Sequence, residues 1–380
     1  MHDFLVKEIF GSNIEDELCE IGFDKTYTNK AKDKFEYKNF KIFDLTPAQA
    51  NIIKQTAISV GADCGTHREV ITGNIEKSDC ILGGSIAQLI KIGQKLQFQP
   101  FGLKELGAKL SNFAEAPKRH SQTKIVGILN ITPDSFSDGG KYFEPNKAIE
   151  QFNKLIEDGA DIVDIGAETT KPYSEPTDAE EQLKRLTPVL KYIKENNIQI
   201  PVSIDTRSAD VAQECLNYGV SIINDISGLT YDEKMADVIA KFGVKVIIQH
   251  SKGTPDNMQN NPQYKNLMDE IFISLSERID FALSKGIQKE NIIIDPGIGF
   301  GKTRNDNFEI IKRWKELQSL GCPVMIGLSR KSLLGIPDAD NTQKDIYTLA
   351  LNSLLINNNI DYIRVHNVKL HKNIIDMLSA

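Results

Sequence analysis

The chain has 380 residues, 40% of them hydrophobic and 26% charged, with a formal net charge of -7. Such a composition is ordinary for a globular protein, and its acidic balance gives no general electrostatic reason to bind nucleic acid or an anionic membrane, so any anion must be held by a local site. Five scattered cysteines without a C-x-x-C pair argue for reduced thiols and against a zinc ribbon, and an acidic N-terminus with no long apolar run argues against a signal peptide or a membrane span; a cytoplasmic protein is expected.

Residues 1–115 read as a small α/β domain. Thr46 and Pro47 in "LTPAQANIIKQTAISVGA" suit an N-cap and a first helical residue. "SDCILGGS" reads as a buried strand, followed by helices in "IAQLIKIGQKLQ" and "GLKELGAKLSNF". His67, Asp63 and Cys64 lie close in sequence, but their spacing matches no ligand motif, and no activity is assigned to this domain. The polar, proline-containing stretch 116–123 reads as a linker.

From residue 124 to 380, strand-like apolar runs alternate with amphipathic helical runs. The strands are "KIVGILNIT", "DIVDIGAET", "IPVSIDT", "SIINDIS", "KVIIQH", "NIIIDPG", "PVMIGLS" and "DYIRVH". Helical runs between them include "NKAIEQFNKLIEDG", "AEEQLKRLTPVLKYIKENN" and "NLMDEIFISLSERIDFALSKG". Eight such repeats predict a (β/α)8 TIM barrel, a fold of about 250 residues. An open doubly wound sheet is the alternative, and the absence of G-x-G-x-x-G counts against it. "GIGFGKT" lacks the Walker spacing, so its glycines are expected to let the backbone pass close to a ligand.

In such a barrel the active site lies at the C-terminal strand ends. Here those ends carry Asn130, Asp164, Glu168, Asp205, Asn224, Asp225, Gln249, His250, Asp295, Ser329, Arg330, Lys331, Arg364 and His366. Solvent exposure explains some polar strand ends, but not carboxylates set inside apolar runs such as "VSIDT" and "IIIDPG", where an unpaired charge is costly. Asp205, Asn224 and Asp295 offer acceptors and an amide to a flat nitrogen heterocycle. Lys331, Arg364 and His366 end the last two strands, where these barrels often hold phosphate, and are expected to form a cationic pocket. Asn130 and "TPDSFSDGG" add oxygen ligands of the kind Mg2+ takes.

Taken in order, "LNITPDSFSDGG", "DIGAETTKP", "SIDTR", "NDISG", "HSKGTP", "DPGIGFGK", "GLSRKS" and "RVHNV" resemble the dihydropteroate synthase family, from about Lys124 to the C-terminus. The resemblance implies a folate-pathway transferase that joins 6-hydroxymethyl-7,8-dihydropterin diphosphate to 4-aminobenzoate, with sulfonamides competing for the second substrate. It further implies pterin contacts from Asp205, Asn224, Asp295 and Lys331, and diphosphate contacts from Asn130, Arg364 and His366 with Mg2+, Asn130 being the metal ligand. Loops bearing Asp134, Phe136 and Ser137, and Thr170, Lys171 and Pro172, would close over the substrates. Phe300, Lys331 and Ser332 would meet the aminobenzoate, whose carboxylate suits the N-terminus of the helix after strand seven. A homodimer is expected from the same resemblance.

The chain departs from the family at Lys171, where Arg is more usual, and at Ala167, Gln249, Ser251 and Asn367, the last standing where Asp is usual. Two rivals remain: a pterin enzyme moving methyl from methyltetrahydrofolate to a corrinoid protein, and a non-catalytic pterin-binding protein. The diphosphate motifs count against the first, and the presence of Lys331, Asn130 and Arg364 against the second.

Overall fold

The structure is a computed structural model that describes residues 5–7, 14–24, 26–115, 122–132, 145–168, 177–253 and 262–379. The chain divides into two units, Met1–Lys118 and Arg119–Ala380. Most of the stretch read as a linker lies outside the described residues.

In the first unit, strands β1 (Tyr37–Leu45), β2 (Asp63–Thr66) and β3 (Ser78–Ser85) form an antiparallel sheet in the order β1-β3-β2. Helices α1 (Ile14–Glu20), α2 (Thr28–Lys32), α3 (Pro47–Ile58), α4 (Ile86–Leu96) and α5 (Leu103–Glu115) accompany it. Thr46 caps α3 in a reciprocal pair with Gln49, and Ser85 caps α4 with Gln88 in the same way, so each satisfies backbone groups at a helix start. Leu82 of β3 packs in a core with Ile53, Leu89 and Ile92. The strand read as buried is therefore the central one, although Ile81 on its other face is exposed. His67 Nδ1 accepts from the Glu69 N–H, and no metal-holding group of His, Cys, Asp and Glu occurs among the described residues.

The second unit is the expected barrel. Strands β4 (Lys124–Asn130), β5 (Ile162–Gly166), β6 (Val202–Asp205), β7 (Ile222–Asp225), β8 (Lys245–Gln249), β9 (Ile292–Asp295), β10 (Met325–Ile326) and β11 (Tyr362–Val365) are all parallel. Their order is β10-β11-β4-β5-β6-β7-β8-β9, and a parallel bridge between Ile294 and Val324 closes the ring. Around it lie α6 (Pro145–Glu157), α7 (Ala179–Glu195), α8 (Ala209–Asn217), α9 (Met235–Phe242), α10 (Leu267–Ser284), α11 (Arg304–Arg313), α12 (Asn341–Ile356) and α13 (Val368–Ser379). No described helix is long and apolar enough to cross a membrane. Strand β10 is shorter than its apolar run.

Side chains alternate across a strand, and that period divides the apolar strand residues between two cores. Ile125, Leu129, Val163, Ile165, Val246, Ile248, Ile292 and Ile294 face outward into the large cluster shared with the helices. Val126, Ile162, Ile222, Ile247, Ile293, Met325 and Tyr362 form a separate cluster inside the barrel. This is an apolar floor. Two residues after five of these stand Asp164, Asn224, Gln249, Asp295 and Arg364, with Ile128 and Gly327 at the same step after Val126 and Met325, so the polar groups share the phase of the floor and lie one layer above it.

Truncating one fully buried floor residue, Ile247→Ala, should lower the unfolding free energy by about 3 kcal/mol, within the range of large-to-small core changes. Urea unfolding followed by circular dichroism checks this.

Candidate active site

Strand register brings the site together. Asn130 pairs with Gly166, Gly166 with Asp205, and Asp205 with Asn224, so four neighbouring strands end at one level. A Cβ on Gly166 would lie 3.4 Å from Asn130 Oδ1 and 3.5 Å from Asp205 Cβ. Both side chains thus border Gly166 at ordinary contact distance.

Arg364 reaches into the barrel from β11. Its Nε donates to Asp164 Oδ2 at 2.7 Å and its Nη2 to Asp205 Oδ2 at 2.8 Å. Asp164 Oδ2 also accepts from Asn224 Nδ2 at 3.0 Å. The Asp164 side chain is fully buried, and those of Arg364 and Asp205 are 18% and 14% exposed. Burial raises the Asp205 carboxyl above the usual carboxylate range, with Arg364 opposing that rise and Asp164 adding to it. Burial also raises Asp295, against the pull of Lys331. Asp295 Oδ1 accepts from the Gly297 N–H at 2.6 Å.

Lys331 follows β10 and donates through Nζ to the Ile298 carbonyl at 2.6 Å, 4.9 Å from the centre of the Phe300 ring. Burial lowers its ammonium to about 8, although Asp295 opposes the fall. Ser332 is exposed and opens a 3-10 turn, Ser332–Leu334, and the helix that follows strand seven, α12, begins further on at Asn341. His366 Nδ1 lies 3.0 Å from Ser329 Oγ. Burial and the neighbouring Arg330 and Arg364 depress His366 to about 3, so its imidazole is neutral. In the expected cationic pocket His366 is thus held toward its neutral form, and Arg364 is engaged by two carboxylates.

Of the remaining strand-end residues, Asp225 accepts from its own loop at Ser227 and Leu229, and Glu168 pairs with Arg207 at 2.7 Å. Gln249 Nε2 donates to the Ile226 carbonyl, Ser251 Oγ to the Gly253 carbonyl and Asn367 Nδ2 to Asp345, so three of the unusual residues have partners within the barrel unit. Thr170, Lys171 and Pro172, with Asp134, Phe136 and Ser137, lie outside the described residues.

Two features were not read from the sequence. Asp164 was noted as a strand end, but its role as the anchor of Arg364 spans 200 positions. Lys302 is buried, with Nζ 2.9 Å from His250 Nδ1 and 2.9 Å from the Phe300 carbonyl, and burial lowers it to about 7. A buried lysine is rare, and no local pattern in "GIGFGKT" announces one. The glycines around it serve loop packing: a Cβ on Gly297 would collide with the His250 carbonyl, and one on Gly301 with the Lys252 carbonyl.

A closed parallel barrel whose C-terminal mouth gathers buried carboxylates, an amide, an arginine and a lysine defines a (β/α)8 enzyme. The sequence pattern of the family described as "Pterin binding enzyme" matches residues 126–366, and the chain belongs to that family. It is 40% identical over 268 residues to a dihydropteroate synthase of Clostridium beijerinckii, covering 70% of this chain and 94% of the relative. It is 33% identical over 379 residues to a bifunctional dihydropteroate synthase/dihydropteroate reductase of Helicobacter pylori, covering 99% of this chain and 98% of that protein. Among solved structures, the dihydropteroate synthase of Anaplasma phagocytophilum with bound 6-hydroxymethylpterin-monophosphate is similar, at a TM-score of 0.62 and 38% identity. The match covers 68% of this chain and 99% of that one.

Removing Asp164 would leave Arg364 short of one partner inside the barrel. Asp164→Ala should therefore cost about 3 kcal/mol of stability, and Asp164→Asn less, both read from denaturant melts.

Proposed function

We propose that the barrel performs the dihydropteroate synthase reaction, in which the amine of 4-aminobenzoate attacks the methylene of 6-hydroxymethyl-7,8-dihydropterin diphosphate. The C–O bond breaks, pyrophosphate departs and 7,8-dihydropteroate forms. The observation that carries this reading is the polar layer above the floor, where Asn224 Oδ1 and Asp164 Oδ1 are buried without a hydrogen-bond partner. Acceptors left unpaired in a closed interior suit a ring rich in N–H and amino groups.

On this reading Asp205, Asn224 and Asp295 hold the pterin, and Lys331 approaches it from the other side. Carboxylates stabilise positive charge developing on the pterin as the bond breaks, while Lys331 and the donors of Arg364 not used by Asp164 and Asp205 face the departing anion. Unit charges about 4 Å apart interact by roughly 4 kcal/mol at an effective dielectric near 20, so a few such contacts supply a large part of the acceleration. His366, neutral and held by Ser329, serves as a hydrogen-bonding group toward the diphosphate. Phe300 and Ser332 face the aminobenzoate. No covalent intermediate is required.

Mg2+ fits the donor set. Asn130 and Asp205 flank Gly166 across three adjoining strand ends, and hard cations take carboxamide and carboxylate oxygens together with substrate phosphates. Asn130 would hold the ion, which would neutralise charge on the diphosphate.

The likeness to the Helicobacter pylori bifunctional protein runs through both units and favours a second reading, in which the chain also reduces dihydropteroate by two electrons and two protons drawn from a reduced nicotinamide or flavin. Oxidation of that donor, dependent on dihydropteroate, tests it. None by the whole chain rules it out.

Asp205→Ala and Lys331→Ala should each reduce pyrophosphate release by at least a hundredfold, in an assay that needs both substrates and Mg2+. Undiminished release in both overturns the assignment. Residues 119–380 alone should keep part of the synthase activity, because the polar layer comes wholly from the second unit. Since Lys331 loses its proton above about pH 8, kcat/KM for the pterin substrate should fall as pH rises through that value, seen in initial rates between pH 6 and 10.

A further inference from the structure

Arg330 stands between Ser329 and Lys331 but faces away from them. Its φ is 59°, a left-handed conformation that residues other than glycine seldom adopt. The reversal sends its neighbours one way and its own side chain the other. Ser329 meets His366 and Lys331 meets the Ile298 carbonyl, while Arg330 turns to α12.

There the guanidinium makes a two-pronged contact with Asp345, Nε to Oδ1 at 2.7 Å and Nη2 to Oδ2 at 2.8 Å. The Arg330 N–H donates to Thr348 Oγ1, three residues along the same helix, at 3.2 Å. Asp345 is 6% exposed, and its Oδ2 accepts a further bond from Asn367 Nδ2 at 3.2 Å. Asn367 follows His366 directly, and its own Oδ1 accepts from the Leu370 N–H at the start of α13. One carboxylate on α12 thus holds both segments that carry the diphosphate-facing groups.

We infer that Arg330, Asp345 and Asn367 form a positioning clamp that sets where Lys331 and His366 stand toward a pterin diphosphate. A salt bridge that merely fastened α12 to the barrel would need neither the reversed backbone nor the bond to the second segment. A planar fork resists rotation about its contact, as an ammonium would not, and this gives Arg330 its directing role. The three residues act through Lys331 and His366 and touch no substrate themselves.

The inference rests on the proposed synthase reading. Binding of 6-hydroxymethyl-7,8-dihydropterin diphosphate with Mg2+ is measured by calorimetry, and KM and kcat by pyrophosphate release, on the full chain. Arg330→Ala should weaken binding and raise KM about tenfold with a smaller change in kcat, Arg330→Lys should recover part of the loss, and Asn367→Asp, which faces Asp345 with a second carboxylate, should weaken binding in the same direction. In a Lys331→Ala background, Arg330→Ala should weaken binding by less than threefold. Binding within twofold of the parent in Arg330→Lys and Asn367→Asp, or the full tenfold loss in the Lys331→Ala background, overturns the clamp. If Arg330→Ala does not fold, as circular dichroism reports, Arg330→Lys and Asn367→Asp carry the decision. Failure of the parent itself to bind the diphosphate overturns the synthase reading, and the clamp's ligand with it.

Discussion

The guanidinium of Arg364, shared between Asp164 and Asp205, governs the mouth of the barrel. It crosses the interior from β11 to β5 and β6, ties strands that are not neighbours, and opposes the rise that burial gives the Asp205 carboxyl. Breaking one arm leaves a charge in a poorly hydrated space, so the site's chemistry and the local stability are linked. That coupling explains why the acidic and basic groups form one connected layer and not two separate pockets.

Around this pair the remaining cations are held by geometry as much as by charge. Lys331 leans on the Ile298 carbonyl and the Phe300 face, and Lys302 braces the same loop from below through the Phe300 carbonyl and His250. Both lysines are pushed toward neutrality by burial.

Much of the barrel was legible because parallel strands buried on both faces read as continuous apolar runs, and the carboxylates within "VSIDT" and "IIIDPG" stood out against them. The first unit was read less fully. Strand β1, "YKNFKIFDL", keeps one face wet and mixes Lys, Asn and Asp among its apolar residues, and β2 is only four residues long, too short to show a period. What escaped in the site was long-range. That Arg364 turns to Asp164, or that His366 is neutral beside Ser329, depends on pairings across strands that no spacing along the chain encodes. Asn367, noted as an unusual residue, gained a meaning only when Asp345 came beside it.

The two-residue spacing between floor and polar layer also constrains how such a protein can diverge. Deleting or inserting one residue within β6 would exchange Asp205 with Ile204, thrusting a carboxylate among the surrounding helices and an alkyl group into the mouth. Length variation among descendants is therefore confined to the connecting segments, while the strands tolerate only replacement in place.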